Sequence, residues 1–290
     1  MEKDEYRLLE GRIRELSETA YQRDVLKHTG FLSLSEQAVY HKIARELPPV
    51  RAILCGGHAE ADRAVLCFLP SYYDASPVQT AAREAAGITE RAGETSERPG
   101  EQENNVIELP AWVSDVIACV RMDAAHEKFA EPLTHRDYLG ALMNLGIERA
   151  KTGDILADGT GGHAFVFCLS EIAPFICSEL LRVRHTSVRC SLVPLSACDI
   201  VPAFENMQVN VASARLDAVI AAVWKLSRSE AASLIAQEAV FADGRNILQP
   251  GAQLKEGARV SVRGHGKFIY EGMTNFSRKG RMFVQIRKFV

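Results

Sequence analysis

The sequence predicts a multidomain α+β protein, and three observations carry that reading. At 290 residues the chain is longer than one ordinary domain. Its 47% hydrophobic and 24% charged content is that of a globular chain with real cores. Its apolar pattern switches repeatedly between helical spacing and strand alternation, with turn residues between. We divide it into a small α/β unit over 1–74, a polar linker over 75–105, a β-α-β-β-α-β domain over 106–203 and a basic domain over 204–290.

Residues 3–28 read as a charged helix with a sparse apolar face of Leu8, Leu9, Ile13, Leu16 and Tyr21, broken at Gly30. Ser33 or Ser35 caps a second helix that stops before Pro48-Pro49. Strands follow at Arg51–Cys55 and Arg63–Leu69. The linker holds six glutamates and three arginines but almost no large apolar residue, too little burial to offset its ordering entropy. We read it as a surface loop, briefly helical at Thr80–Glu84. The next domain runs from a strand at Ser114–Arg121 to a helix over Thr134–Leu145, capped by Thr134 with Asp137 three residues on. Strands at Asp154–Ala157 and His163–Leu169, a helix capped by Ser170 and a strand at Thr186–Leu192 complete it. That order is the ferredoxin-like arrangement, which RRM-type RNA-binding domains share.

In the last third, Ser213 is expected to cap a helix with the stripe Leu216, Val219, Ile220 and Val223. Ser227 and Glu230 form a capping box on a second helix that buries Ala231, Leu234 and Ile235. Ala239–Ala242 leads into an Asp243-Gly244 hairpin turn, and Arg259–Arg263, Lys267–Tyr270 and Arg281–Ile286 read as strands. The tail interleaves basic and aromatic residues. A nucleic-acid face and a charge-protected edge strand both fit it.

Charge is segregated. Residues 204–290 hold 13 Lys/Arg and 7 Asp/Glu, a balance of +6, so the remainder carries −9 of the net −3. A basic third on an acidic body fits a polyanion partner. The seven cysteines include no C-x-x-C pair and mostly sit in apolar runs, which points to reduced thiols and a cytoplasmic protein. No apolar signal region opens the chain, and no run approaches membrane-spanning length. Oligomerisation leaves no signal, and we expect a monomer.

Arg215 and Arg228 each open a helix, where the dipole favours anions, so both are expected to face an external phosphate. The run R-L-D, S-R-S, D-G-R, P-G, G-x-R-V-x-V-R and G-K-F over 214–272 resembles the S-four RNA-binding domain. Glu238 departs from it, since a glycine or basic residue is usual there, as does Asp243, where asparagine is usual. On that resemblance Arg215, Ser227, Arg228, Ser229, Arg245, Arg263 and Lys267 are the RNA-binding candidates, joined by Arg136, Arg149 and Lys151 of the preceding domain.

Catalytic and metal patterns fail on context. His135-Arg136-Asp137 opens a helix and lacks the other kinase elements, and His126-Glu127 lacks the second histidine of a zinc-protease helix. Gly159, Gly161 and Gly162 lie between two strands, as a hairpin turn does. The run from Gly162 to Val166 partly fits the first RRM signature, but His163 replaces an aromatic, and a half-buried strand is the preferred reading. No metal-ligand spacing is present, and we expect no cofactor.

The runs at 133–155 and 55–64, with the C-terminal domain, resemble the YlmH family of bacterial cytosolic proteins. That resemblance implies a non-enzymatic protein that binds structured RNA, rRNA or tRNA, on the large ribosomal subunit in ribosome-associated quality control or rescue. It also carries a link to cell division. The rivals are an RNA-modifying enzyme, of methyltransferase or pseudouridine synthase type, and a cell-division interaction protein.

Overall fold

The computed structural model describes residues 2–58, 60–73, 88–90, 110–126, 130–200, 202–277 and 280–290. The chain divides into two compact units, Met1–Val201 and Pro202–Val290.

Unit 1 is two antiparallel sheets face to face, each backed by helices. The first sheet has the order β1-β3-β2-β4, from Lys27–Leu32 (β1), Arg51–Cys55 (β2), Ala64–Leu69 (β3) and Ile88–Glu90 (β4). Glu2–Arg23 (α1) and Leu34–Ile43 (α2) lie on one face of it, with Ser33 and Glu36 as the capping box of α2. Strand β3 explains the layering. Its six residues, A-V-L-C-F-L, are all buried. Ala64, Leu66 and Phe68 pack with Ile13, Leu16 and Tyr40 on the helical side. Val65, Cys67 and Leu69 pack with Phe165 and Phe167 of the second sheet. A strand covered on both faces needs a continuous apolar run rather than alternation.

The second sheet has the order β6-β7-β5-β9-β8. Its elements run from Ala111–Val116 (α3) and Ile117–Ala124 (β5) to His135–Asn144 (α4), Thr152–Ala157 (β6), His163–Leu169 (β7), Ala173–Glu179 (α5), Arg182–Val183 (β8) and Thr186–Val193 (β9). All neighbours in the sheet are antiparallel. Strand β7 repeats the logic of β3: Phe165, Phe167 and Leu169 face the first sheet, while Ala164, Val166 and Cys168 face α4 and α5. The two sheets meet without space for extra atoms. An added Cβ at Gly153 would lie 2.5 Å from the Phe31 ring, and one at Gly57 would lie 2.7 Å from that of Phe167.

Unit 2 is one six-stranded sheet covered by two helices. The strand order is β10-β15-β14-β13-β11-β12, from Phe204–Val211 (β10), Val240–Ala242 (β11), Arg245–Asn246 (β12), Ala258–Val262 (β13), Gly266–Phe276 (β14) and Met282–Phe289 (β15). Leu216–Trp224 (α6) and Arg228–Ala236 (α7) bury Leu216, Val219, Ile220, Val223, Ala231 and Ile235 against Val260, Phe268 and Val284. Asp243 and Gly244 both take positive φ, the turn that joins β11 to β12.

Several expectations change. The first helix ends at Arg23 rather than at residue 28, and Lys27–Leu32 is a strand. Residues 111–116 are helical, so β5 starts at Ile117 rather than Ser114. Ser170 opens a 3-10 turn and donates to the Ser114 carbonyl instead of capping α5. The cap of α6 is Arg215 rather than Ser213, and strand β10 was not anticipated. β15 pairs on both sides, so it is no edge strand. Of the 75–105 segment only Ile88–Glu90 lies within the described residues, and it is a strand hydrogen-bonded to β2. Among the described residues no helix is long and apolar enough to cross a membrane.

Candidate nucleic-acid interface

The centre of unit 2's polar surface is a carboxylate that sequence reasoning left unassigned. Asp217, in the first turn of α6, has a side chain only 6% exposed. Arg215 donates to it through Nε at 3.2 Å and Nη2 at 3.0 Å, a two-point contact. Arg228, at the start of α7, donates to Asp217 Oδ2 at 2.5 Å. Burial alone would raise the Asp217 pKa, but the hydrogen bonds from Arg215 and Arg228 outweigh it and hold the carboxyl below its ordinary value.

Both arginines therefore have an internal partner, which the expectation of an external phosphate did not include. The anion that draws both arginines to the helix starts is internal. The first N–H groups of α6 are also occupied: Leu216 donates to the Ala252 carbonyl at 2.8 Å and Asp217 to that of Pro250 at 3.1 Å. The Pro250-Gly251 turn thus closes the helix end, and Gly251 lies against the Arg215 guanidinium. Both guanidiniums stay about half exposed, at 43% and 49%. Each has five N–H donors, and Asp217 takes two from Arg215 and one from Arg228. What remains is a pair of cations held on one carboxylate and about half exposed.

The other candidates separate into three groups. Ser227 is spent on capping, accepting from the Glu230 amide at 3.1 Å, and Ser229 lies 2.9 Å from Ser227 through its hydroxyl. Arg245 is exposed on β12, and Arg263 is exposed with its guanidinium over the Phe241 ring. Lys267 sits over the Phe289 ring, 5.1 Å from its centre. In unit 1, Arg136 is exposed in the first turn of α4. Lys151 pairs with Glu171 at 3.0 Å.

Arg149 is corrected outright. Its Nη1 donates to the Thr152 carbonyl at 2.6 Å, the Thr152 hydroxyl at 2.7 Å and the Gly153 carbonyl at 2.9 Å. Burial, with Arg63 nearby, pushes its pKa down to about 10. It braces the join between the sheets rather than facing an RNA. Beside it, His58 Nε2 lies 3.1 Å from Asp154 Oδ2, which also accepts from the Asp62 amide at 2.7 Å. His58 and Asp62, between β2 and β3, therefore lock onto Asp154 of β6.

Sequence reasoning also missed Arg182 and Arg184. Both are exposed in the β8–β9 hairpin and border a groove of about 570 Å³ with Arg136. The signal available was the R-V-R alternation beside a turn. Asp217 was legible in the same way, as the acidic member of R-L-D two residues after Arg215.

Residues 118–197 match the family model described as "Putative RNA-binding domain in YlmH". A similar curated protein is "Ribosome-associated protein quality control protein P2" of Bacillus subtilis (strain 168), 28% identical over 171 residues. That match takes in 57% of this chain and 65% of the relative, so it spans less than two thirds of the relative's length. A solved structure, "Cell division protein ylmH from Streptococcus pneumoniae", aligns with a TM-score of 0.44 at 17% identity, over 67% of this chain and 94% of that one. Residues 118–197 thus carry the signature of that RNA-binding domain, and the chain is similar to the relatives named here over part of its length.

Proposed function

We propose that this protein binds structured RNA without altering it chemically. The ligand we assign is rRNA or tRNA on the large ribosomal subunit, and the setting is ribosome-associated quality control. The observation that carries this is the arginine pair on Asp217: two guanidiniums held by a buried carboxylate, on side chains that stay about half exposed. Such a pair matches phosphate geometry and avoids much of the entropy cost of ordering two long side chains on binding. In this reading unit 2 is an S-four-type domain, residues 106–203 are ferredoxin-like, and structured RNA is recognised by shape and backbone. The ribosomal setting is supported by the name of the Bacillus subtilis relative.

Co-sedimentation with purified large ribosomal subunits tests the proposal. The protein should pellet with subunits at low salt and release as salt rises. Arg215→Glu combined with Arg228→Glu should weaken binding at least about tenfold and flatten the salt dependence by about one unit of log–log slope for each phosphate no longer neutralised. Unchanged pelleting of that double variant would remove the arginine pair from the interface.

A further inference from the structure

A domain with the strand order of residues 117–193 has one well-known way to hold RNA, which is to stack unpaired bases on aromatic residues of its open sheet face. Here that face is closed. Phe165 and Phe167 are 0% exposed and lie between the two sheets with Phe31, Ile53 and Trp112. Any RNA contact made by this domain has to come from another surface.

The opposite side offers one. Arg136, Gly140 and Asn144 are spaced four apart on α4 and form one wall of the groove, with Arg182 and Arg184 of the hairpin across from them. The side chains of Arg136 and Arg182 make no hydrogen bond or ion pair among the described residues, so their planar donors are available. Arg184 reaches only Asp137, at 3.4 Å. Asp137 and Glu179 are the acidic residues of the groove, which leaves it net positive.

Gly140 is an independent pointer. A Cβ there would meet no atom within 4 Å, so no internal contact calls for glycine at this position. Glycine is unfavourable in the middle of a helix, and here it leaves a bare stretch of helix between the arginines.

We propose that this groove is the RNA-backbone site of residues 118–197. Arg136, Arg182 and Arg184 take phosphates of a structured RNA, and Gly140 is where the sugar-phosphate chain comes closest to α4. The inference rests on the RNA-binding reading above and adds to it a second surface, in unit 1.

The test uses the full chain and a fluorescein-labelled RNA stem-loop, titrated by anisotropy over a potassium chloride series. One variant combines Arg136→Glu, Arg182→Glu and Arg184→Glu. A second, Gly140→Gln, fills the gap without changing charge. Far-UV spectra and thermal midpoints check that each is folded, and Arg→Gln replacements stand in if charge reversal disturbs the fold. We expect the triple variant to bind at least about tenfold more weakly, with a log–log salt slope shallower by about one for each phosphate it no longer neutralises. Gly140→Gln should weaken binding with little change in slope. If both variants bind like the wild type while Arg215→Glu with Arg228→Glu does not, the groove is not an RNA site and the function proposed for unit 2 stands. If the wild type binds neither the stem-loop nor large subunits, the underlying reading fails and the groove assignment with it. Unchanged RNA affinity combined with loss of an RNase-resistant protein complex would make the groove a protein-docking surface and overturn the proposal.

Discussion

Asp217 shows how one residue changes what its neighbours mean. In the sequence Arg215 and Arg228 are two basic residues thirteen apart. The fold sets them on one carboxylate, and the pair becomes a prearranged site. Folding depresses the Asp217 pKa, so its contribution to stability is present above the ordinary carboxylate range and is lost as pH falls through the folded-state value. Asp217→Asn should therefore cost unit 2 about 1–2 kcal/mol near neutral pH. The gap between wild type and variant should narrow as pH falls below the ordinary carboxylate range and close only below the folded-state value, where both side chains are neutral. Thermal unfolding across that range checks it, and an equal deficit at every pH would mean that the charge pairing does not matter. Arg149 is the opposite case. Nothing in E-R-A-K-T separates it from Arg136, yet its guanidinium holds three acceptors inside the protein. Residue type was legible there, but direction was not, because direction depends on a chain partner that only the tertiary fold supplies.

At the scale of elements, what the sequence revealed was what local chemistry determines. The capping box at Ser227, the Asp243-Gly244 turn and the apolar stripe of α6 all work over a few residues, and each lies where its spacing placed it. The misses have tertiary causes. Gly30 reads as a breaker, but an added Cβ there would lie 2.6 Å from the Ala150 carbonyl oxygen. It is glycine because β1 passes close to the turn at Arg149–Lys151 that leads into β6. Strand β10 is rich in asparagine and glutamine and takes shape by pairing along its length with β15, far away in sequence. Glu238 stands where the S-four pattern usually has a glycine or a basic residue, and its φ of +57° just past the end of α7 is a backbone reason for the glycine. Gly140 has no such reason. Gly140→Ala should raise stability by about 0.5–1 kcal/mol, read as a higher denaturant midpoint at unchanged slope. A loss of stability instead would mean that α4 needs glycine for itself, and the groove would lose one of its supports.

At the scale of the whole molecule, the charge asymmetry seen in the sequence divides along a structural boundary. The +6 balance of residues 204–290 falls within unit 2, which has its own sheet, its own helices and a core built from its own residues. Among the described residues of unit 1 there are three apolar clusters, and the one between its sheets joins the N-terminal strands to the RNA-binding-domain signature. The two halves of unit 1 therefore depend on each other, whereas unit 2 should stand alone. Expressed as residues 202–290, unit 2 should unfold in one cooperative transition, as small domains with a single core do. It should keep the arginine pair, and with it a salt-sensitive affinity for RNA. If the groove on α4 also holds phosphates, the fragment should bind more weakly than the full chain and with a log–log salt slope smaller by about one for each phosphate the groove would hold. Anisotropy titrations of fragment and full chain on the same stem-loop measure that difference directly. Equal slopes would assign the whole RNA interface to unit 2 and leave unit 1 with a different role.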